Sequence, residues 1–275
     1  MRVKELVAFI KAREAVRLAK EAGKPKPWTK DAILQTYRFC NVHREDDAVT
    51  RWVADNIRKP LAKHPDLWFA LIVARLLNLP ASIEAIDEHI LPFNPKQFMA
   101  DLHSRVDYGL KNFNAAYIVS TNGLAMDKVE YITNNVLNPA WVNRELVRPT
   151  KKDTLTSFAK RLNDLNGMGS FLTGQVVADL KYTKPLDAAD DWWTFALSGP
   201  GSRRGLNRVF GLDLKFKMPE YKWHEHLMRL QREVNARLPE PLHAQDLQNC
   251  LCEFDKYERI RLGEGRPKQL YDGRK

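Results

Sequence analysis

The sequence predicts an all-α, mostly helical protein, and three observations carry that prediction. Apolar residues recur at helical spacing along most segments, alternating apolar–polar runs are scarce, and prolines punctuate the chain between the periodic stretches. At 275 residues the chain is long enough to bury a full core. We read residues 1–262 as a single helical domain with a hairpin at about 158–182, and residues 263–275 as a basic polar tail.

The elements follow in order. Val3, Leu6, Val7 and Ile10 fall at i, i+3, i+4 and i+7, which predicts an amphipathic first helix and not a signal peptide. Val49, Val53 and Ile57 form a second stripe. Leu67–Ala74 is continuously apolar but short and ends at Arg75, so it predicts a buried helix and no membrane span. Pro25, Pro27, Pro60, Pro65, Pro80, Pro92, Pro95, Pro139 and Pro149 separate these runs. Tyr117–Thr121 is the one short strand-like stretch, and it stops at Asn122-Gly123. No internal repeat is present.

The most informative stretch is Leu162–Leu180. An apolar helical pattern stops at Gly167-Met168-Gly169 and restarts as a second apolar helix. That is the layout of a helix-hairpin-helix, whose turn glycines let the backbone approach a phosphate at a helix N-terminus. Gly167, Gly169, Ser170 and Thr173 are the expected DNA contacts. Two glycines between apolar runs also occur in ordinary helix connections. The charge agrees with a polyanionic partner: 44 Lys and Arg against 34 Asp and Glu leave +10. Cys40, Cys250 and Cys252 are odd in number and lack a Cys-x-x-Cys pair, so neither a disulfide framework nor a zinc site is expected, and a reducing cytoplasm fits.

Three constellations could carry chemistry. The first is Tyr37–Trp52. On a helix, Arg38, Asn41 and Glu45 share one face, and Arg44, Asp47 and Arg51 share the next. Such faces can hold an anion beside a proton acceptor, or simply ion-pair on a solvated surface. The second follows the hairpin. Gln175 and Asp179 are one turn apart, Asp190 and Asp191 come next, and Gly199-Pro200-Gly201-Ser202-Arg203-Arg204-Gly205 offers amides and two guanidinium groups to a phosphate or pyrophosphate. Gly169 to Gly174 has Walker A spacing, but Gln175-Val176 stands where Lys-Ser/Thr is required. The third is His243–Tyr257. Gln245, Asn249, Cys252 and Lys256 align on one helix face, with Asp246, Asn249 and Glu253 on the adjoining one. This row either hydrogen-bonds a base or small polar substrate, or ties helices together. His224-Glu225-His226 diverges on a helix and is no metal site, so no metal or other cofactor is expected.

The hairpin and the acid after it resemble the helix-hairpin-helix DNA glycosylase superfamily. Asp190 lies near that superfamily's catalytic aspartate, with one extra residue in the spacing from Gly167. The lysine of bifunctional members falls at Phe171, a departure that argues against Schiff-base excision. The closer resemblance spans roughly residues 30 to 260. The blocks Tyr37–Trp52, Gly167–Leu180, Gly199–Leu206 and Ala244–Tyr257 together look like the α-glutamyl/putrescinyl thymine pyrophosphorylase family, the glycosylase-like amino acid:DNA transferases of tailed bacteriophages. The helical domain of hydroxymethyluracil DNA kinases carries a block similar to the first. The missing P-loop places the chain, as an expectation, with the transferases.

The resemblance implies the reaction and its setting. A kinase phosphorylates hydroxymethyluracil in double-stranded DNA, and the transferase replaces the phosphate or pyrophosphate with a free amino acid or polyamine. The hypermodified thymidine then protects phage DNA in the host cytoplasm. In this scheme Arg203 and Arg204, with Arg38, Arg44 and Arg51 as the competing clamp, neutralise the leaving group or bind an amino-acid carboxylate. Asn41, Gln175, Gln245, Asn249 and Lys256 contact substrate. Glu45, Asp46, Asp47, Asp190 and Asp191 are candidate bases, with Asp190 and Glu45 favoured. Departure of the leaving group either generates an exocyclic methide or is assisted by a thiolate of Cys40 or Cys252. The alternatives are a monofunctional glycosylase for a modified base and a non-catalytic DNA-binding partner of the kinase.

Overall fold

The computed structural model describes residues 1–114 and 119–265. The helices are α1 (Val3–Glu21), α2 (Ala32–Thr36), α3 (Ala48–Val53), α4 (Leu67–Leu77), α5 (Pro80–Glu84), α6 (Pro95–Asp107), α7 (Lys128–Tyr131), α8 (Asn138–Val142), α9 (Arg144–Val147), α10 (Leu155–Asn163), α11 (Ser170–Leu180), α12 (Pro200–Phe210), α13 (Glu220–Asn235) and α14 (Ala244–Arg261). Among the described residues no extended strand forms, so the all-α expectation holds. Residues 117–118 of the strand-like stretch and 266–275 of the tail lie outside those residues, and 119–121 are not a strand. No helix among them is long and apolar enough to cross a membrane.

The chain divides into two compact units, one made of Met1–Asp47 with the chain from Trp193 onward, the other of Ala48–Trp192. In the first, the predicted stripe of Val3, Leu6, Val7 and Ile10 is buried with Leu206, Val209, Trp223, Leu227, Leu230, Leu247, Leu251 and Phe254. The glycines of α12 decide how closely it meets α14. A Cβ on Gly201 would run into Cys252 Sγ, and one on Gly205 would overlap the Leu251 carbonyl oxygen and lie 2.7 Å from its carbon. Spaced four apart, these glycines form one face, which meets the α14 backbone at Gly205 and the Cys252 side chain at Gly201. Their first requirement is therefore helix packing.

In the second unit every residue of α4 is buried, as its apolar run predicts. Arg75, 1% exposed, enters that core because α11 supplies Asp179 as a bidentate partner, with Nε–Oδ2 at 2.5 Å and Nη2–Oδ1 at 2.6 Å. Asn78 Oδ1 and Thr50 Oγ1 accept two further N–H groups at 3.1 and 3.3 Å. A buried charge persists only when paired and hydrogen-bonded, and this one is both. α10 and α11 are joined through a turn in which Gly167 takes φ +77° and Gly169 is the N-cap of α11. A Cβ at Gly167 would stand 2.5 Å from Val136 Cγ2, so conformation and packing both demand glycine there.

Candidate functional site

Two of the sequence constellations and the glycine–arginine run converge in the first unit. The convergence does not come from helical faces. Tyr37–His43 is non-helical, Arg44–Asp46 is a single 3-10 turn, and α3 begins only at Ala48. The expectation that Arg38, Asn41 and Glu45 share a helix face, with Arg44, Asp47 and Arg51 on the next, is therefore corrected. Side chains outcompete the helix for the backbone. Asp47 Oδ1 accepts the Asn41 N–H at 3.1 Å, and Asn41 Nδ2 donates to the Asp46 carbonyl at 2.9 Å. Arg51 falls in the second unit, on α3 and exposed.

α14 supplies the remaining partners of this loop. The Cys40 N–H donates to Glu253 Oε2 at 3.1 Å, the Arg44 N–H to Asp246 Oδ1 at 3.0 Å, and Asn249 Nδ2 to the Asn41 carbonyl at 3.1 Å. Lys256 Nζ donates to the Arg38 carbonyl and, at 3.1 Å, to Glu253 Oε2. From α1, the buried Arg13 donates through Nη2 to the Asn41 carbonyl at 3.2 Å. The α14 row thus ties helix to loop through Asn249 and Lys256, while Gln245 is buried and Arg38 is exposed. Glu45 and Arg44 are half-buried. Burial pushes the Asp47 carboxyl above the usual carboxylate range, against the Asn41 N–H and the charges of Arg44 and Arg13.

On the opposite flank of α14, Arg204 Nε and Arg208 Nε each lie 2.9 Å from the buried Asp255 carboxylate. Arg203 pairs with Glu220 and donates from Nε to Ser198 Oγ at 2.8 Å. The Gly199 N–H is taken by Ser202 Oγ at 2.9 Å. Both guanidinium groups keep partial exposure. They are held by acids that the sequence did not single out.

The charge of Glu253 raises the Cys40 thiol well above its ordinary range, although the residue is exposed. Burial pushes Cys250 and Cys252 up to about 11. Sequence reasoning also missed the grouping of His43 and His243 on the Asp246 carboxylate. Its signals were present, since His43 lies inside the first block and His243 directly precedes the third helix. His243 caps α14, accepting the Asp246 N–H at 3.2 Å in a position where Ser, Thr, Asp or Asn is the usual signal.

The second unit holds the hairpin and the acids that follow it. Gly169 and Ser170 are exposed at the start of α11, and a Cβ at Gly169 would meet nothing within 4 Å. Thr173 is fully buried, so it is withdrawn as a DNA contact: it lies on the face of α11 shared with Val176 and Val177. Gln175 is half-buried and Asp179 belongs to the Arg75 pair. Asp191 accepts the Leu155 and Thr156 N–H groups at 2.7 and 2.9 Å and the Thr156 hydroxyl at 2.6 Å, which makes it a cap of α10. Asp190 is exposed and lines a cleft of about 390 Å³ with Lys151, Lys152, Lys184 and Asp187. Among the described residues no group of three or more His, Cys, Asp or Glu is placed to hold a metal ion.

Residues 1–266 match the protein family described as 5-hmdU DNA kinase, helical domain. The chain belongs to this family. One relative is the 5-hmdU DNA kinase of Bacillus phage SP10, 26% identical over a 264-residue alignment that covers 86% of this chain and 41% of the relative. The chain thus spans less than half the length of that curated kinase. No solved structure matches it. The family match covers both units and every block singled out from the sequence.

Proposed function

We propose that this protein is a phage DNA-hypermodification transferase. It replaces the phosphate or pyrophosphate on 5-phosphomethyl- or 5-pyrophosphomethyl-deoxyuridine in double-stranded DNA with an amino acid or amine. The observation that carries the reading is the match of residues 1–266 to the helical domain of 5-hmdU DNA kinases, which points to DNA bearing the same modified base. The four blocks that resemble the thymine pyrophosphorylases supply the reaction. The basic balance and the exposed Gly169–Ser170 turn at the head of α11 suit backbone phosphate.

In this reading the target nucleotide is flipped from the duplex at a cost of a few kcal/mol. Arg203 and Arg204, oriented by Glu220 and Asp255, neutralise the departing phosphate, with Arg38 and Arg44 as the competing clamp and Arg51 a separate candidate in the second unit. Glu45, or alternatively Asp190 of the second unit, is the carboxylate that meets the incoming amine. Asp47 and Asp191 already serve backbone amides. Gln175, Gln245, Asn249 and Lys256 are the polar side chains assigned to substrate. The raised thiols favour departure to an exocyclic methide over a thiolate adduct.

The test is mass spectrometry of nucleosides from kinase-treated hydroxymethyluracil DNA incubated with this protein and a pool of amino acids and polyamines. An amine-bearing thymidine is expected, and its mass names the nucleophile. Abasic sites would favour the glycosylase. The second reading, a DNA-binding module that serves the kinase, is favoured by the matched domain being the helical part of such an enzyme. It predicts salt-dependent binding with no altered nucleoside.

A further inference from the structure

The buried Asp246 carboxylate organises two imidazoles to which the scheme above assigns no role. Its Oδ2 lies 3.1 Å from His243 Nε2 and 3.5 Å from His43 Nδ1, while Oδ1 accepts the Arg44 N–H at 3.0 Å. His243 is fully committed: Nδ1 accepts the Asp246 N–H, so its proton sits on Nε2 and points at the carboxylate. His43 differs. With Nδ1 turned to Asp246, its other nitrogen faces the exposed Glu240 at 3.7 Å, and the side chain is 26% exposed. A carboxylate beside one imidazole nitrogen, with the other turned outward, is the arrangement that makes histidine a directed proton acceptor.

We propose that His43 takes the proton lost by the incoming amine and that Asp246 is its positioning residue. This rests on the transferase reading. An alkylammonium has no lone pair until it gives up a proton, which passes to His43 Nε2. The C–O bond breaks, phosphate or pyrophosphate leaving with its electrons, and the freed nitrogen pair then forms the C–N bond to the exocyclic methylene so generated. The product nitrogen keeps its remaining protons. An imidazole is the better acceptor than a carboxylate by roughly two pK units. His43 also sits one residue from Arg44 and two from Glu45 and Asn41, inside the block on which the proposed site is built.

The groups around His43 set its titration. Asp246 and His243 face it from α14 and its cap, Glu240 from the preceding loop, Glu14 from α1, and Asp46 from its own loop. The hydrogen bond to Asp246 raises its pKa above the ordinary histidine value, against burial, with Glu14 and Asp46 adding to the rise. A raised histidine is cationic at low pH and becomes a base only above its pKa, so transfer should fall off on the acid side.

The experiment compares full-length wild type, His43→Gln and Asp246→Asn. His43 is titrated by ring NMR, and the transfer rate is followed from pH 5 to 9 by nucleoside mass spectrometry. The acid limb of the wild-type rate should coincide with the His43 titration. Asp246→Asn should move both to lower pH together, and His43→Gln should erase the limb and cut the rate roughly 100-fold. The half-exposed His43→Gln keeps the test valid where Asp246→Asn fails to fold. A limb unchanged in His43→Gln overturns the inference alone. Wild type that yields no aminated nucleoside with any amine overturns the transferase reading and this inference with it.

Discussion

Gly205→Ala adds one methyl group at the tightest approach of α12 to α14. The new Cβ would overlap the Leu251 carbonyl oxygen and stand 2.7 Å from the carbonyl carbon and 3.1 Å from its Cα. All three atoms are backbone, so no rotamer change relieves the clash. The helices must part by something near 1 Å, across an interface buried around Leu206, Val209, Leu247 and Leu251. Overpacking of this kind costs about 3 kcal/mol. Alanine returns about 1 kcal/mol of helix propensity, leaving a net loss of about 2 kcal/mol. For a chain of this size that is a fall in Tm of roughly 4–8 °C. Circular dichroism at 222 nm, scanned against temperature, measures it. Gly169→Ala is the control, because its Cβ meets nothing within 4 Å and only the weaker N-cap preference of alanine is lost, a fall in Tm of at most about 3 °C. Gly205→Ala as stable as wild type would refute the packing role and return this run to a phosphate loop.

Asp179→Asn leaves the guanidinium of Arg75 buried without its anion and should cost about 3–5 kcal/mol, read by urea denaturation; a loss under about 1 kcal/mol would mean that the pair is dispensable. Cys250 and Cys252, with thiols near 11, are about 0.01% thiolate at pH 7, so iodoacetamide should modify them roughly 300-fold more slowly than a free cysteine; peptide mapping at timed intervals checks this. Gly167→Ala must strain a φ of +77° and displace Val136, and should destabilise the second unit by about 2 kcal/mol or more. Gly169→Ala should largely preserve stability yet weaken DNA binding several-fold by fluorescence anisotropy; unchanged affinity would remove the hairpin from the interface.

The sequence by itself determined the helical class, the buried stripe of α1, the all-buried α4 and the glycine turn before α11. Each is written in local spacing: a 3.6-residue period survives whatever surrounds it, and a positive φ selects glycine within the turn itself. It also marked the blocks from which the candidate site is built. What it did not contain was their partners. Residues 37–47 look helical in isolation, but Glu253 and Asp246, some 200 residues away, take their backbone amides and hold them as a loop. The glycines of α12 look like a phosphate cradle until α14 is placed against them. Thr173 and Asp191 look available until the α11 core and the head of α10 claim them. His43 acquires its direction only when Asp246 is brought beside it. In each case the competition is between a local backbone preference and a hydrogen bond or van der Waals contact from a distant segment. The distant contact wins because a buried polar group left unpaired, or a Cβ forced into a neighbouring backbone, costs more than the local preference returns.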